Sequence, residues 1–270
     1  METPRLVASD VDGTLLGPGE QVSARTVNAV AGVIAGGTPF VLVTGRPPRW
    51  IPVVARAVGS TGWAVCSNGA VLYDIGADRV TNLQQLNPAL LAETVQAITN
   101  VIPDCGVAVE RVGDSALALD GYEFHTGENY LHPWPSDPGR PATMAELVGL
   151  PAVKLLVRHP DMTSDALAEV VRGVVGDEVD VTFSTGYGLI EIAAAGVDKG
   201  TGLARLADQL GVAAHDAVAF GDMPNDVPML RWAGHGVAVA NAHPDVLAIA
   251  DEVTAANDAD GVAAVLERWF

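Results

Sequence analysis

The sequence predicts an α/β protein in which a doubly wound parallel sheet is interrupted by an inserted α+β domain. Within the first 66 residues, three short apolar runs alternate with two segments of helical spacing, which is the order of a βαβ unit. The second run, Pro39–Val43, is wholly apolar, as expected of a strand buried on both faces. The alternation is irregular in the middle third and returns from Leu189.

The first part of the chain is predicted to build the parallel sheet. Its elements, in order, are a strand at Leu6–Ser9, a helix at Ser23–Ile34, a strand at Pro39–Val43, a helix at Trp50–Val58, a strand at Trp63–Cys66 and a hairpin at Val71–Val80. Each of these strands ends in small polar residues. In open α/β sheets the ligand crevice lies beyond the carboxyl ends of the strands, so these polar residues are candidates for a site.

The middle of the chain, residues 84–184, is predicted to be the inserted α+β domain. Its elements are helices at Ala89–Val101 and Ser164–Val175 and strands at Val107–Val112, Ala116–Leu119, Val153–Val157 and Val179–Phe183. The proline-rich segment His132–Pro141 is predicted to be a surface loop, because proline disfavours both helix and sheet interiors.

Residues 1–83 and 185–270 are predicted to form the Rossmann-like core together. The later elements of this core are helices at Lys199–Leu210, Val227–Trp232 and Gly261–Trp269, a helix beginning at Pro244, and strands at Ala217–Phe220 and Gly236–Val239. The second of these helices follows the acidic turn Gly221–Asp226.

The composition favours a globular protein. Of 270 residues, 49% are apolar and 18% are charged, which excludes a wholly disordered chain. The net charge of −18 disfavours nucleic acid and anionic membranes as partners, because both require a basic face. Cys66 and Cys105 make no disulfide framework, so we expect reduced thiols in a cytoplasmic protein. The N-terminal residues lack a long apolar stretch and the apolar runs are far shorter than about 20 residues, so neither a signal peptide nor a membrane span is expected. A monomer and a homodimer are both left open.

Asp10 and Asp12 follow the first strand and are separated by one residue. In an extended chain residues i and i+2 face the same way, so both carboxylates are predicted to point to a common site. Two like charges so close are costly unless a cation lies between them or one is protonated. The first solution is a metal site, and the second is a nucleophile beside a general acid, so both indicate catalysis. The alternative is an acidic turn without a function.

The strand ends and the adjoining helix starts bring further polar residues to the predicted crevice. The full set is Asp10, Asp12, Thr44, Lys199, Asp222, Asn225 and Asp226. Four carboxylates in one pocket require a cation, and oxygen ligands favour Mg²⁺. Zinc is disfavoured because the sequence has no histidine or cysteine cluster of zinc spacing.

This set suits phosphoryl transfer. Asp10 could attack phosphorus and form an aspartyl-phosphate, while Asp12 could protonate the leaving oxygen and later deprotonate water. Lys199 would balance phosphoryl charge, and the Thr44 hydroxyl, Gly45 N–H and Asn225 amide would hold the oxygens. Taken singly, Lys199 is most simply a solvated residue at a helix N-terminus, although a cation there opposes the helix dipole and mildly favours a functional role. Asn68-Gly69 is predicted to be only a turn.

The motifs resemble those of the haloacid dehalogenase superfamily, in the Cof-type branch. The four segments that carry the resemblance are Asp10–Leu16, Thr44–Arg46, Val197–Gly200 and Gly221–Asp226, with supporting matches at Asn68–Ala70, Glu191-Ile192 and Asn241-Ala242. The resemblance implies that the insertion is a cap domain of the C2 type, in its C2B form.

The resemblance also implies residue roles. Asp10, the main-chain carbonyl of Asp12 and Asp222 would bind Mg²⁺, while Asp226 and Arg46 would have supporting roles. The expected substrate is a small phosphorylated metabolite such as a sugar phosphate. Candidate specificity residues in the insertion are Glu123, His125, Tyr130, Trp134, Arg158 and His159.

Three alternatives remain open at this point. A phosphomutase of the same superfamily would return the phosphoryl group to sugar instead of water. A non-enzymatic, receiver-like phospho-acceptor also uses an acidic cluster with Thr and Lys, although this chain is over twice the usual length of a receiver. A dehalogenase is disfavoured, because halide release needs no general acid such as Asp12.

Overall fold

The computed structural model describes residues 2–117, 123–131 and 139–270. The chain forms two compact units. The first unit comprises Met1–Asn82, Ser115–Leu117 and Asp198–Phe270, and the second comprises Leu83–Asp114 and Ala118–Val197.

Strands and helices are named in chain order over the described residues. The strands are β1 (Leu6–Ser9), β2 (Phe40–Val43), β3 (Trp63–Cys66), β4 (Val71–Asp74), β5 (Arg79–Leu83), β6 (Gly106–Arg111), β7 (Glu123–Thr126), β8 (Arg140–Pro141), β9 (Lys154–Arg158), β10 (Val179–Thr182), β11 (Leu189–Ala194), β12 (Ala217–Gly221), β13 (His235–Val239) and β14 (Glu252–Thr254). The helices are α1 (Ala24–Ala35), α2 (Ile51–Val58), α3 (Pro88–Val101), α4 (Met144–Val148), α5 (Ser164–Arg172), α6 (Lys199–Leu210), α7 (Val227–Trp232), α8 (Pro244–Leu247) and α9 (Gly261–Leu266).

The first unit is built on an eight-stranded sheet in the order β14-β13-β12-β1-β2-β3-β4-β5. The six strands from β14 to β3 are parallel, and β4 runs antiparallel to β3. The chain moves outward from β1 in both directions, so right-handed crossovers place the helices of the two halves on opposite faces of the sheet. Helices α1, α2 and α9 pack together, as do α6 and α7. The predicted doubly wound α/β class is confirmed.

The central strands are apolar because both of their faces are covered. Every residue of β1, β2 and β12 is buried. Polar side chains are therefore confined to the strand ends, as the sequence predicted, and the parallel arrangement brings the carboxyl ends of β1, β2 and β12 to one edge of the sheet.

The second unit contains a six-stranded sheet in the order β10-β11-β9-β6-β7-β8. All its neighbouring strands are antiparallel except β7 and β8. A cluster of buried apolar side chains forms part of its core, consisting of Ala108, Phe124, Tyr130, Leu156 and Leu189.

The predicted boundary at residue 185 is wrong. Strand β11 pairs with β9 and β10 in the second sheet, so the first unit resumes at Asp198. An apolar run looks the same in sequence whichever sheet receives it, and only the pairing partner distinguishes the two cases. Residues Ser115–Leu117 belong to the first unit, where Ser115 Oγ donates to Asp78 Oδ2 at 2.5 Å.

Two predictions for the insertion are also corrected. Ala116 and Leu117 lie in a bend, and residues 118–119 of that predicted strand lie outside the described residues. Within the proline-rich segment, Arg140-Pro141 form the short strand β8 beside β7, which proline tolerates at a sheet edge. The remainder of that segment, residues 132–138, lies outside the described residues.

Helix α4 and strand β14 were not predicted. Each has five residues or fewer, which is too short to show a hydrophobic period.

Both cysteines, Cys66 and Cys105, are buried free thiols. Over the described ranges, no helix has the length and apolar character needed to cross a bilayer.

Helix α6 approaches the turn after β3 so closely that one position accepts only glycine. A Cβ on Gly202 would lie 2.6 Å from Gly69 Cα and 2.7 Å from Val65 Cγ1. Replacing Gly202 with alanine is therefore expected to destabilise the first unit by about 1–3 kcal/mol, even though alanine is the better helix former by about 1 kcal/mol. Urea unfolding measures the change.

The matched control is Gly32→Ala in α1. Its Cβ would lie 3.5 Å from Phe270 Cβ, an ordinary contact, so this variant is expected to gain about 0.5–1 kcal/mol from helix propensity. Equal stabilisation by both substitutions would contradict the close approach of α6.

Candidate active site

Three neighbouring strands of the first unit deliver polar side chains to one buried site. Asp10 follows β1, Thr44 follows β2, and Asp222 follows β12. Their exposed fractions are only 4%, 1% and 6%. The structure therefore brings these three predicted residues together at the carboxyl edge of the parallel sheet.

Lys199 is the buried cation of this site. It is the first residue of α6, whose N-cap is Asp198, and it is 1% exposed. Its Nζ lies 2.5 Å from Asp10 Oδ1 and 2.6 Å from Asp226 Oδ1. The alternative interpretation of Lys199 as a solvated helix residue is wrong. Despite burial, the charges of Asp10 and Asp226 raise the pKa of Lys199, so it remains an ammonium.

Asp226 has both carboxylate oxygens occupied. Oδ1 accepts from Lys199, and Oδ2 accepts from the main-chain N–H groups of Asp222 and Met223, each at 3.0 Å. The side chain is fully buried. Asp226 therefore fixes the turn that carries Asp222 and holds Lys199 in place.

Asp222 is held by the turn that follows Asp10. The Thr14 hydroxyl donates to Asp222 Oδ1 at 2.9 Å. Gly13 has φ +82°, and a Cβ there would lie 2.3 Å from Asp222 Oδ2, so only glycine permits this approach. Sequence reasoning did not select Thr14; its position after the acidic pair was the available signal.

Asp10, Asp222 and Asp226 form one carboxylate cluster. Each offers an oxygen, and the three oxygens lie within 4.8 Å of one another. Three ionised carboxylates and one ammonium have a net formal charge of −2. Burial, reinforced by the neighbouring carboxylates and opposed by Lys199, raises the pKa of Asp10 well above its ordinary value. Burial and the charge of Asp226 raise the pKa of Asp222 to about 7. The single ammonium of Lys199 therefore does not neutralise the three carboxylates.

The same cluster has an oxygen available for a ligand. Asp10 Oδ2 is buried and has no hydrogen-bond partner among the described residues. A buried polar atom without a partner is unfavourable by about 1–3 kcal/mol. An oxygen-rich donor set with a formal charge of −2 fits Mg²⁺, which binds through one or two carboxylates.

Three carboxylates form the buried cluster, and not the four predicted, because Asp12 lies outside it. Its side chain is 51% exposed and is held by Arg46, with Nε to Oδ2 at 2.7 Å and Nη2 to Oδ1 at 2.5 Å. Arg46 Nη2 also lies 3.2 Å from Glu20 Oε2. The chain enters a turn at Val11, so the side-chain alternation of an extended strand no longer applies at residue 12.

Thr44 and Asn225 lie at the site with their side chains fixed. Thr44 Oγ1 accepts from the main-chain N–H of Arg46 at 3.0 Å, which leaves its hydroxyl proton to donate. Asn225 is 4% exposed, and its Nδ2 donates to Asn68 Oδ1 at 3.1 Å. Gly45 lies in the partly exposed turn between Thr44 and Arg46.

Sequence reasoning missed the part played by the turn after β3. Three successive residues of this turn have positive φ, with values of 50° at Ser67, 54° at Asn68 and 98° at Gly69. This conformation is unfavourable by about 1–2 kcal/mol for a residue with a Cβ. Asn68 is buried and contacts Asn225, so it is more than the simple turn that was predicted. The signal was its location at the end of a strand adjacent to β2.

The candidate specificity residues lie in the second unit, where their described contacts are internal. His125 Nδ1 lies 2.9 Å from Arg111 Nη1, Tyr130 packs edge-on against Phe124, and His159 Nδ1 accepts from the Asp161 N–H at 3.2 Å. Arg158 donates to the Leu131 carbonyl. Trp134 and the Glu123 side chain lie outside the described parts.

Arg158 also lines a cleft of about 320 Å³ within the second unit. The other lining residues are Asp104, Glu128, Asn129, Leu131 and Pro160. None of the candidate active-site residues of the first unit lines this cleft.

Comparison with known proteins identifies relatives over the full length of the chain. It is 28% identical over 275 residues to the 5-amino-6-(5-phospho-D-ribitylamino)uracil phosphatase YitU of Bacillus subtilis, covering 100% of this chain and 99% of the relative. It is 30% identical over 283 residues to the HMP-PP phosphatase of Serratia proteamaculans, covering 98% and 95%. A solved phosphatase of the haloalkanoate enzyme superfamily from Bacteroides thetaiotaomicron superposes with a TM-score of 0.80 at 25% identity, covering 98% of this chain and 95% of that one.

The sequence model of the family described as haloacid dehalogenase-like hydrolase matches residues 7–266. This match includes every motif that carried the resemblance, and the named relatives are phosphatases. The alternative of a non-enzymatic phospho-acceptor is therefore set aside. The chain belongs to the haloacid dehalogenase-like hydrolases, as a phosphatase of the Cof-type branch.

Proposed function

We propose that this protein hydrolyses a small phosphate monoester, with Mg²⁺ as cofactor, through an aspartyl-phosphate on Asp10. The observation that carries the proposal is the state of the Asp10 carboxylate. Lys199 fixes one oxygen at 2.5 Å, while the other is buried without a hydrogen-bond partner among the described residues. A fixed and incompletely solvated carboxylate is suited to nucleophilic attack.

The reaction has two balanced steps. In the first, an Asp10 oxygen bonds to phosphorus, the ester P–O bond breaks, and the leaving oxygen takes a proton from Asp12. In the second, water attacks phosphorus and gives a proton to Asp12, while the P–O bond to Asp10 breaks. Inorganic phosphate leaves, and both aspartates return to their starting states.

Asp12 is proposed as the acid and base because its carboxylate is accessible yet oriented. Arg46 contacts both of its oxygens, and half of the side chain remains exposed. These contacts support the role proposed for Arg46, which orients the Asp12 carboxylate without burying it. A carboxylate that both donates and accepts a proton has to be within reach of the leaving oxygen of the substrate and of the attacking water.

Four groups are proposed to hold the phosphoryl oxygens. Lys199 supplies a charge, Thr44 a hydroxyl proton, Gly45 a main-chain N–H and Asn225 an amide N–H. Burial of the Lys199, Thr44 and Asn225 side chains supports this assignment, because donors fixed in a site of low dielectric stabilise developing charge most strongly. They also supply the local positive potential that a chain of net charge −18 otherwise lacks.

The proposed Mg²⁺ ligands are the carboxylates of Asp10 and Asp222 and the main-chain carbonyl of Asp12. The saturated hydrogen bonding of Asp226 leaves it the supporting role. When bound, the cation would polarise the phosphoryl group.

The proposed substrate class is a small polar metabolite, for which a sugar phosphate is the general expectation. The two curated relatives are named for different substrates, so membership of the family points to a class of ester and not to one compound. A phosphomutase would use the same intermediate but transfer the phosphoryl group to a sugar hydroxyl. Measuring free phosphate against isomerised sugar phosphate distinguishes the two.

Replacing Asp10 with asparagine is expected to lower kcat by at least about 10³-fold, because an amide is a poor nucleophile. The measurement is release of p-nitrophenol from p-nitrophenyl phosphate in excess Mg²⁺. Circular dichroism and the melting temperature establish that the variant is folded.

The matched control is Asp208→Asn, which removes the same charge from an exposed position on α6. This control is expected to retain wild-type kcat. Wild-type turnover by Asp10→Asn would remove Asp10 as the nucleophile.

Asp222→Asn is expected to stabilise the protein in EDTA but to abolish its stabilisation by Mg²⁺. Since the pKa of Asp222 is raised to about 7, the folded state holds a proton that the unfolded chain releases above about pH 4. The contribution of Asp222 to wild-type stability therefore falls as pH rises from about 4 to 7, and the variant gains up to about 2–4 kcal/mol relative to wild type by neutral pH.

Thermal unfolding with EDTA and with Mg²⁺, across this pH range, measures both effects. Wild type is expected to gain about 2.7 kcal/mol at a Mg²⁺ concentration of 100 Kd, and Asp208→Asn should behave like wild type. A full Mg²⁺ shift in Asp222→Asn would exclude Asp222 as a ligand.

A further inference from the structure

We propose that Asn68 is a positioning residue that fixes the orientation of the Asn225 amide. The inference rests on the proposed function, because it concerns an amide assigned there to the phosphoryl oxygens. It gives Asn68 a role at the site, and the turn Ser67–Gly69 that carries Asn68 is called the β3 turn.

The contact between the two asparagines is buried and directional. Asn225 Nδ2 donates to Asn68 Oδ1 at 3.1 Å, and the two side chains are 4% and 3% exposed. A primary amide has two N–H groups in one plane. Engaging one of them with Asn68 fixes that plane, and with it the direction of the second N–H.

Asn68 is the described partner that sets this direction. Asn225 Oδ1 is buried and has no hydrogen-bond partner within the described parts of the chain. Without the bond to Asn68, the carbonyl and amino ends of Asn225 could exchange places. A phosphoryl oxygen would then meet an acceptor in place of a donor.

The β3 turn is itself tied to the second group of phosphate-binding candidates. The Asn68 N–H donates to the Thr44 carbonyl, and the Ser67 N–H donates to the Arg46 carbonyl, both at 3.0 Å. These bonds join Asn68 to the main chain that carries Thr44 and Gly45. One residue thus spans two segments that the proposed function assigns to phosphate.

The backbone of the β3 turn is held in an unfavourable conformation, which indicates that its position is constrained. Three successive residues have positive φ, and a Cβ on Gly69 would lie 2.0 Å from the carbonyl oxygen of Asp198, the residue before Lys199. Strain of this kind persists where the surroundings require it and is concentrated at functional sites. Here it allows the turn to contact the segments of Thr44, Lys199 and Asn225 at once.

The test uses Asn68→Gly, which removes the amide while keeping a residue that tolerates φ of +54°. Ser67→Gly is the matched control, because Ser67 has the same backbone conformation and its Oγ has no hydrogen-bond partner among the described residues. Both are compared with wild type, Asn225→Ala and the double variant Asn68→Gly/Asn225→Ala. All proteins are full-length and assayed in Mg²⁺.

Two readouts are measured: the Kd for inorganic phosphate by calorimetry, and kcat and KM for p-nitrophenyl phosphate. Asn68→Gly is expected to weaken phosphate binding and lower kcat/KM by about 10–100-fold, the scale of a misplaced binding group. Ser67→Gly should stay within about 3-fold of wild type, at an unchanged melting temperature. The double variant should be no worse than Asn225→Ala alone.

Three results would overturn the role of Asn68. These are wild-type phosphate binding and kinetics in Asn68→Gly, an equal loss in Ser67→Gly, and losses in the double variant that multiply those of its parents. If Asn68→Gly does not fold, Asn68→Ala is measured against the same expectations.

The proposed function can fail separately. Wild type that binds phosphate but does not hydrolyse esters would remove the hydrolase proposal, and the Asn68 role would then be decided by the Kd values alone. Wild type that binds no phosphate would remove both.

Discussion

The buried ammonium of Lys199, placed between Asp10 and Asp226 at 2.5 and 2.6 Å, is the interaction on which the site depends. An uncompensated charge in a protein interior is unfavourable by several kcal/mol, so none of these three side chains could be buried there alone. With them together, one carboxylate oxygen of Asp10 is fixed and the other is left for a ligand. Asp222 adds a further carboxylate, which a single ammonium cannot neutralise. The unbalanced charge is what makes a divalent cation part of the proposed chemistry.

The fold provides this arrangement by separating apolar strands from polar strand ends. Because β1, β2 and β12 are wholly buried, their carboxyl ends are the places where charged residues can follow them. Close approach is then secured by glycines: Gly13 lets its turn meet Asp222, and Gly69 lets the β3 turn meet Asp198. The same contacts that close the core therefore determine the distances in the site. Stability and function are coupled here through backbone packing.

Much of the sheet and of the buried cluster could be predicted from sequence, because apolar strand runs and the acids that follow them are local patterns. Asp12 shows the limit: its direction depends on where the strand ends, and the chain turns one residue earlier, at Val11. The boundary at 185 failed because the sheet that accepts β11 is decided by pairing partners distant in sequence. Asn68 was overlooked because Asn-Gly is a common turn, and its contact with Asn225 spans 157 residues.

Crystallisation with Mn²⁺, a scattering substitute for Mg²⁺, followed by an anomalous difference map, tests the central claim most directly. We expect one strong peak in the first unit, within ligand distance of carboxylate oxygens of both Asp10 and Asp222, with Lys199 still bridging Asp10 and Asp226. A peak that contacts neither aspartate, or a fully loaded crystal in which the side chains of residues 10, 199 and 222 lie apart, would contradict it.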